Sequence, residues 1–309
     1  MALDVRPVIP SRFFGHKSRG AAPSSRIGAY IALMKLRVVE LLLVTTVPTM
    51  VLAEGGWPSI QLMAITLIGG TLAAGGANAI NMYIDRDIDK LMVRTQNRPL
   101  VTGALTPRAA MIFAIALEIV AFLVLWAGAN LLAAVLAVSA TLFYVFVYSL
   151  WLKRTSKQNI VIGGAAGAMP VLVGWAAVTN SLGWAPVVLF VVIFLWTPPH
   201  FWALAIRHAD DYKAAGVPMM PVVVSLERTI RSMTTYAVLL TLSTLVLVPV
   251  ADLAWVYGIT ALVFGVAFVI GSVRLGSDPS PKRSMRLFTF SITYVTAVFV
   301  ALTVDVLLR

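Results

Sequence analysis

Asn81, Asp85 and Asp89 stand four residues apart in NMYIDRDIDK, residues 81–90. On an α-helix this spacing puts the three side chains on one face, drifting about 40° per step, with Asp87 on the other side. Two carboxylates one turn apart repel each other unless something positive sits between them. Carboxylate and amide oxygens suit Mg2+, which takes a carboxylate or two together with substrate phosphate oxygens. The same residues also read as a solvated helix end, with Arg86 and Lys90 beside them. Against that, the preceding run is apolar, and carboxylates at membrane depth are costly and usually functional. The pattern points to a cation site that grips a diphosphate.

The next thirteen residues extend the pattern. In LMVRTQNRPLVTG, Arg94 and Arg98 are four residues apart, and guanidinium forks match phosphate oxygens. Acid followed by base in one loop suits an anion held through a cation. Pro99 and Gly103 then break the helix, and Thr106-Pro107 starts the next one. A second acidic patch lies in TPPHFWALAIRHADDYKAAGVPMMP, residues 197–221, with Asp210 and Asp211. The expected metal set is therefore Asn81, Asp85, Asp89, Asp210 and Asp211, with Asp85, Asp89 and Asp211 at the reacting centre. Lys153, Arg154 and Lys213 join Arg94 and Arg98 as expected diphosphate partners, although membrane topology alone also accounts for these bases. Two acidic corners facing across one cavity form the working picture; a hydrated loop is the plain reading of Asp210 and Asp211.

These residues need a scaffold, and the composition says which. Of 309 residues 60% are hydrophobic and only 12% charged, with 13 acidic side chains in all, and the mean hydropathy is +0.90. Apolar runs near 30–53, 60–83, 109–129, 130–150, 159–178, 185–207, 233–250, 252–273 and 286–307 are each about the 20 residues that cross a bilayer core as a helix. The expected fold is an all-α integral membrane protein of nine transmembrane helices. The acidic patches follow spans 2 and 6, an even number of helices apart, which predicts a parallel repeat of spans 1–4 and 5–8 with span 9 added.

Lys and Arg crowd the N-terminal segment and the loops after spans 2, 4, 6 and 8. EGGWPS, GAN, TNSLGW and PVADL on the other side hold none. The positive-inside rule then places the N-terminus in the cytoplasm and, after nine crossings, the C-terminus outside. The net charge of +11 is thus topological, calls for no nucleic acid, and favours anionic lipid headgroups. Residues 1–27 read as a disordered basic cytoplasmic tail without the apolar core of a secretory signal, and 28–309 as the intramembrane domain. The acid-poor, Arg- and Ser-containing start also resembles a mitochondrial transit peptide, so the mitochondrial inner membrane stands as the alternative to a bacterial plasma membrane. The absence of cysteine excludes disulfides and thiolate metal sites.

Diphosphate leaves as an anion, and a bound cation with Arg and Lys stabilises the charge developing on it, while aromatic faces stabilise the carbocation left behind. Trp196, Phe201, Trp202, Tyr144 and Tyr148 are the aromatic candidates, each equally at home as packing. Pro198-Pro199 interrupts span 6, and His200 comes at once after it; a histidine within a span is a functional candidate by default. Glu118 lies in the middle of span 3 and must face the bundle interior.

Asn-x-x-x-Asp-x-x-x-Asp followed by RTxxRPL, with a second Asp-rich loop after span 6, resembles the intramembrane UbiA-type prenyltransferase superfamily. Within it, NMYIDRDIDKLMVRTQNRPLVTG, TPPHFWALAI, DYKAAGVPMMPVV and MKLRVVELLLVTT are similar to the protohaem IX farnesyltransferase branch. The resemblance covers about residues 28–309. It implies helices around a central cavity, Mg2+ as cofactor, and farnesyl diphosphate and haem B as substrates, joined as a hydroxyethylfarnesyl group at a haem vinyl. It implies haem or acceptor contacts at His200, Lys35, Arg37 and Trp202, with Lys35 and Arg37 facing haem propionates or diphosphate; as a histidine within a span, His200 reads either as a ligand for the haem iron or as a satisfied interior side chain. Other membrane enzymes that handle haem are the expected contacts, and no oligomeric state is implied. Two departures stand out: Met82 occupies a position where many aromatic-acceptor members carry Asp, and Asp211 has Arg207 and Ala215 four residues to either side instead of a second Asp. Prenylation of a phenolic ring, as in quinone synthesis, is the second reading. A polytopic transporter is the third, disfavoured because its acids would lie at the bilayer midplane.

Overall fold

The structure, a computed structural model, describes residues 25–309 apart from the side chains of 37–43. The tail 1–24 and the Arg37 side chain therefore lie outside the described residues. Among those described there is no strand. The helices are α1 (Arg26–Met34), α2 (Leu36–Glu54), α3 (Ile60–Ile84), α4 (Pro107–Gly128), α5 (Leu131–Thr155), α6 (Asn159–Thr179), α7 (Trp184–Arg207), α8 (Leu226–Val250), α9 (Trp255–Ser277) and α10 (Pro281–Leu307). Eight of them, α3 to α10, are long and apolar enough to cross a membrane among the described residues.

The first expected span, 30–53, is not one helix. It breaks at Lys35, whose backbone is left-handed (φ 51°, ψ 53°), between α1 and α2. For a residue other than glycine that conformation costs on the order of 1–2 kcal/mol. Two amides of α3 hold it there. Asn78 Nδ2 donates to the Met34 carbonyl at 3.1 Å, capping the end of α1, and Lys35 Nζ donates to Asn81 Oδ1 at 2.9 Å.

Consecutive long helices pack as neighbours from α3 to α10, and α10 closes the circuit onto α2 and α7. Small residues permit the close approaches that lipid-embedded helices rely on. A Cβ at Gly163 of α6 would collide with the Tyr148 ring of α5, so only glycine lets these two helices meet at this depth. Glu118 does face inward: its carboxylate accepts from Thr141 at 3.2 Å and lies against Gly76. On the side opposite the acidic loops, Asp305 of α10 is buried and caps α9, accepting from the Ala254 and Tyr257 amides at 2.7 and 2.9 Å. Carboxylate at a helix N-terminus satisfies orphan donors and the dipole together.

Within α5, residues Phe143–Leu152 form a π-helix. Ser149 Oγ reaches back five residues to the Tyr144 carbonyl at 2.9 Å. Such widened turns are rare and recur at functional sites. The loops that end α3 and α7 are themselves ordered into short helices, at Ile88–Lys90, Pro99–Thr102, Ala209–Ala214 and Met220–Val223.

Candidate active site

α3 stops at Ile84, earlier than the acidic spacing suggests; Asp85 is its C-cap, and Asp89 sits in the 3-10 turn Ile88–Lys90. The one-turn spacing survives because Asp85 N donates to Asn81 O at 2.9 Å and Asp89 N to Asp85 O at 2.8 Å. Asn81, Asp85 and Asp89 are 3%, 0% and 1% exposed, so the solvated helix end is excluded.

Buried carboxylates need counter-charge, and four basic side chains deliver it. Lys153, one residue past the π segment of α5, donates to Asp85 Oδ2, which also accepts from Asn81 Nδ2 at 2.7 Å. Asn81 Nδ2 contacts Ser149 Oγ at 3.1 Å. Arg98 Nη1 reaches both oxygens of Asp89 at 2.8 and 2.6 Å. Arg154 forks onto Asp87 with two bonds of 2.7 Å and reaches the Ile84 carbonyl at 3.0 Å. That fork holds the Asp87 carboxyl well below the usual carboxylate range. Lys35 completes the ring through Asn81 and lies within electrostatic reach of Asp85, Asp89, Arg98 and Lys153. Lys35 is thus placed with the headgroup cluster and not on a separate acceptor face. Two buried carboxylates are met by three cations, Lys35, Lys153 and Arg98. The surplus of positive charge suits an arriving anion.

The second corner touches the first. Asp211 accepts from the Val93 and Arg94 amides at 3.2 and 3.3 Å, and the Arg94 guanidinium lies 5.8 Å over the Tyr212 ring. Ile88 and Met92 of one loop pack with Tyr212, Val217 and Met219 of the other, and with Ile160 of α6. Burial, and then the charge of Arg94, push the His208 imidazole below its usual value, so its 4.0 Å approach to Asp211 is that of a neutral ring at neutral pH.

The expected five-residue metal set does not assemble as such. Asp210 and Lys213 are exposed and make no hydrogen bond or ion pair with the cluster among the described residues. No three His, Cys, Asp or Glu side chains come together there either. The physical reason is that Asp211 spends both oxygens on backbone amides. The first corner nevertheless fits a divalent cation: Asp85 Oδ1 is buried and accepts no hydrogen bond, with Arg154 Nη2 no nearer than 3.9 Å. An uncompensated carboxylate oxygen beside an amide is the donor chemistry Mg2+ takes, and Mg2+ draws its remaining ligands from water and phosphate. Asp211→Ala should release the Arg94 segment. The expected result is a rise of about tenfold in KM for the diphosphate substrate with little change in Tm; an unchanged KM would leave Asp211 without a positioning role.

Tyr144 and Tyr148 stack with centroids 5.3 Å apart on the π segment. Tyr144 lies in the field of Asp85, Asp89 and Arg98, and Tyr148 in that of Asp85, Arg94 and Tyr212. These two rings stand at the polar cluster. Trp202 instead packs edge-on to Tyr236 within the α7–α10 core. His200 stacks between Trp196 (4.1 Å) and Phe288 (4.4 Å), with Nδ1 2.6 Å from Ser291 Oγ.

A sequence model of the UbiA prenyltransferase family matches residues 42–295. The chain belongs to the UbiA prenyltransferase family. Among its relatives, the protoheme IX farnesyltransferase of Frankia casuarinae is 54% identical over 92% of this chain and 99% of its own length. That of Clavibacter sepedonicus is 52% identical over 91% and 92%. Among solved structures, one concerned with digeranylgeranylglyceryl phosphate synthase superposes with a TM-score of 0.76 at 17% identity, covering 92% of this chain and 99% of that one. A UbiA homolog from Archaeoglobus fulgidus bound to DMAPP and Mg2+ gives 0.62 at 18%, covering 89% and 99%; at such identities the likeness is one of fold. This UbiA-family chain is a multi-pass membrane prenyltransferase.

Sequence reasoning missed Ser149, Asn78 and Thr95, whose hydroxyl anchors the Asp89 carbonyl at 2.7 Å. Nothing in the apolar run 143–152 signals a π-helix, since its register depends on neighbours in α3 and α6.

Proposed function

We propose that this chain transfers the farnesyl group of farnesyl diphosphate to a vinyl group of haem B, releasing diphosphate, with Mg2+ as cofactor. The observation that carries the headgroup site is the buried Asp85–Asp89 pair held by Lys153 and Arg98, with Lys35 bonded to Asn81 beside it. The shared name of the bacterial relatives supports the acceptor.

Asn81, Asp85 and Asp89 hold the cation, which supplies charge neutralisation at the leaving diphosphate. Arg94, Arg98, Lys153 and Arg154 bind the phosphate oxygens, and Lys35 joins them. As the C1–O bond breaks, the electron pair leaves on diphosphate and the positive charge stays on the allyl group, beside the Tyr144 and Tyr148 faces. The vinyl terminal carbon bonds to C1, and the charge moves to the carbon next to the porphyrin ring. Water adds there and loses a proton, giving the hydroxyethylfarnesyl group. Asp211 acts by holding the Val93–Arg94 backbone. Asp210 and Lys213 keep no role in this scheme.

His200 is the proposed haem ligand, and its proton can be placed. Ser291 Oγ has one proton, and its 2.6 Å contact with the Phe288 carbonyl takes it. The hydroxyl oxygen therefore accepts from His200 Nδ1–H, which leaves the lone pair on Nε2. His200→Ala should shift the Soret band of the haem-loaded protein; an identical spectrum would leave the ring a packing residue. The proposed setting is a bacterial plasma membrane, with the headgroup site at the cytoplasmic face, the N-terminus inside and the C-terminus outside, and 28–309 as the single catalytic domain.

The test is incubation of the detergent-purified protein with haem B, farnesyl diphosphate and Mg2+, with 4-hydroxybenzoate as the competing acceptor. The expected product is haem heavier by one farnesyl group and one hydroxyl group, formed only with Mg2+. Prenylated 4-hydroxybenzoate without that product would select the phenolic reading instead.

A further inference from the structure

Asn159 opens α6 and is wholly buried, yet neither its Nδ2 nor its Oδ1 has a hydrogen-bond partner. An amide stripped of water without compensation is a standing cost. Such a residue makes sense where something polar arrives.

Its position says what arrives. α5 and α6 are antiparallel and joined through Ser156, Lys157 and Gln158. Gly163 lies against Tyr148. One turn back from Gly163 toward the hairpin is Asn159, on the same face of α6. One π turn on from Tyr148 is Leu152–Lys153. The register thus sets Asn159 level with Lys153, whose ammonium holds Asp85. Its neighbour Ile160 packs among Ile88, Met92 and Tyr212, beneath both acidic loops. The other buried oxygen without a donor in this quarter of the protein is Asp85 Oδ1. An unpaired amide at the start of α6 and an unpaired carboxylate oxygen at the end of α3 thus both belong to the end of the bundle that carries the acidic loops.

We infer that Asn159 is a further binding residue for the diphosphate–cation headgroup, an inference that rests on the prenyl-diphosphate reading above. The amide N–H2 would donate to a phosphate oxygen, and the amide oxygen would ligate the cation or accept from its bound water. Hydrogen bonds to charged groups of this kind are worth about tenfold to a hundredfold in affinity.

Thermal unfolding of the detergent-purified protein, with and without inorganic diphosphate and Mg2+, tests this. Asn159→Leu is expected to raise Tm without ligand and to lose most of the ligand-dependent rise, with KM for farnesyl diphosphate up by about tenfold or more. Asn159→Ala serves if leucine overpacks, and is expected to lose the same ligand-dependent rise. A full wild-type-sized rise in a folded variant would overturn the inference and make Asn159 the seat of a structural water. A wild-type protein that gains nothing from diphosphate and Mg2+ would instead overturn the headgroup reading on which this rests.

Discussion

Asp85→Asn should lower turnover by about a thousandfold or more while the chain still inserts and folds. The side chain keeps its shape and loses one charge at the most buried point of the cluster. Removing a single preorganised electrostatic group from an enzyme site costs about 10^2–10^3 in rate, and here the lost charge also orients Lys153 and, in the proposed scheme, holds the cation. The change has a second consequence. Lys153, only 12% exposed, is left without its counter-ion, and stripping one partner from a buried pair costs about 3–5 kcal/mol. A drop in Tm is therefore expected together with the lost activity. Asp85→Asn combined with Lys153→Met separates the two effects: stability should recover, and activity should not. Measured kcat/KM with farnesyl diphosphate and Tm for both variants decide it. Activity within threefold of wild type in Asp85→Asn would remove Asp85 from the reaction.

Arg98→Met should be the most destabilising single change in the site. Both oxygens of Asp89 lean on one guanidinium nitrogen, and Asp89 is 1% exposed. Methionine keeps much of the volume and leaves a buried carboxylate unpaired, a loss of about 3–5 kcal/mol. Adding Asp89→Asn removes the stranded charge, so the double variant should regain most of the Tm and still use farnesyl diphosphate poorly. Arg98→Lys keeps the charge but not the planar guanidinium with its further donors; its expected defect is a higher KM at near-normal Tm. Equal Tm values for Arg98→Met and wild type would show that Asp89 finds another counter-ion.

The membrane-spanning helices α3 to α10 were legible because lipid imposes one rule on every span, a long apolar run with its backbone bonded internally. Asn81, Asp85 and Asp89 were legible because acids are rare in such a chain and their spacing is local. Lys35 shows where that stops. Its left-handed turn splits the first expected span, and the amides that stabilise the break, Asn78 and Asn81, lie more than forty residues further on. Asp210 and Asp211 are neighbours in sequence with opposite fates, one exposed and one bonded to the Val93 and Arg94 amides. Their order along the chain does not say which would turn inward.

By itself the sequence determined the membrane class, the places of most spans, and the clustering of acid and base in the first loop, since each depends on residues within a few turns of one another. Only the tertiary structure decided which cation serves which carboxylate, that Asp211 ties two loops together, and that Asn159 stands buried and unpaired at the start of α6. Those outcomes turn on the depth and rotation at which separate helices meet, and at close packing a single residue such as Gly163 sets that register.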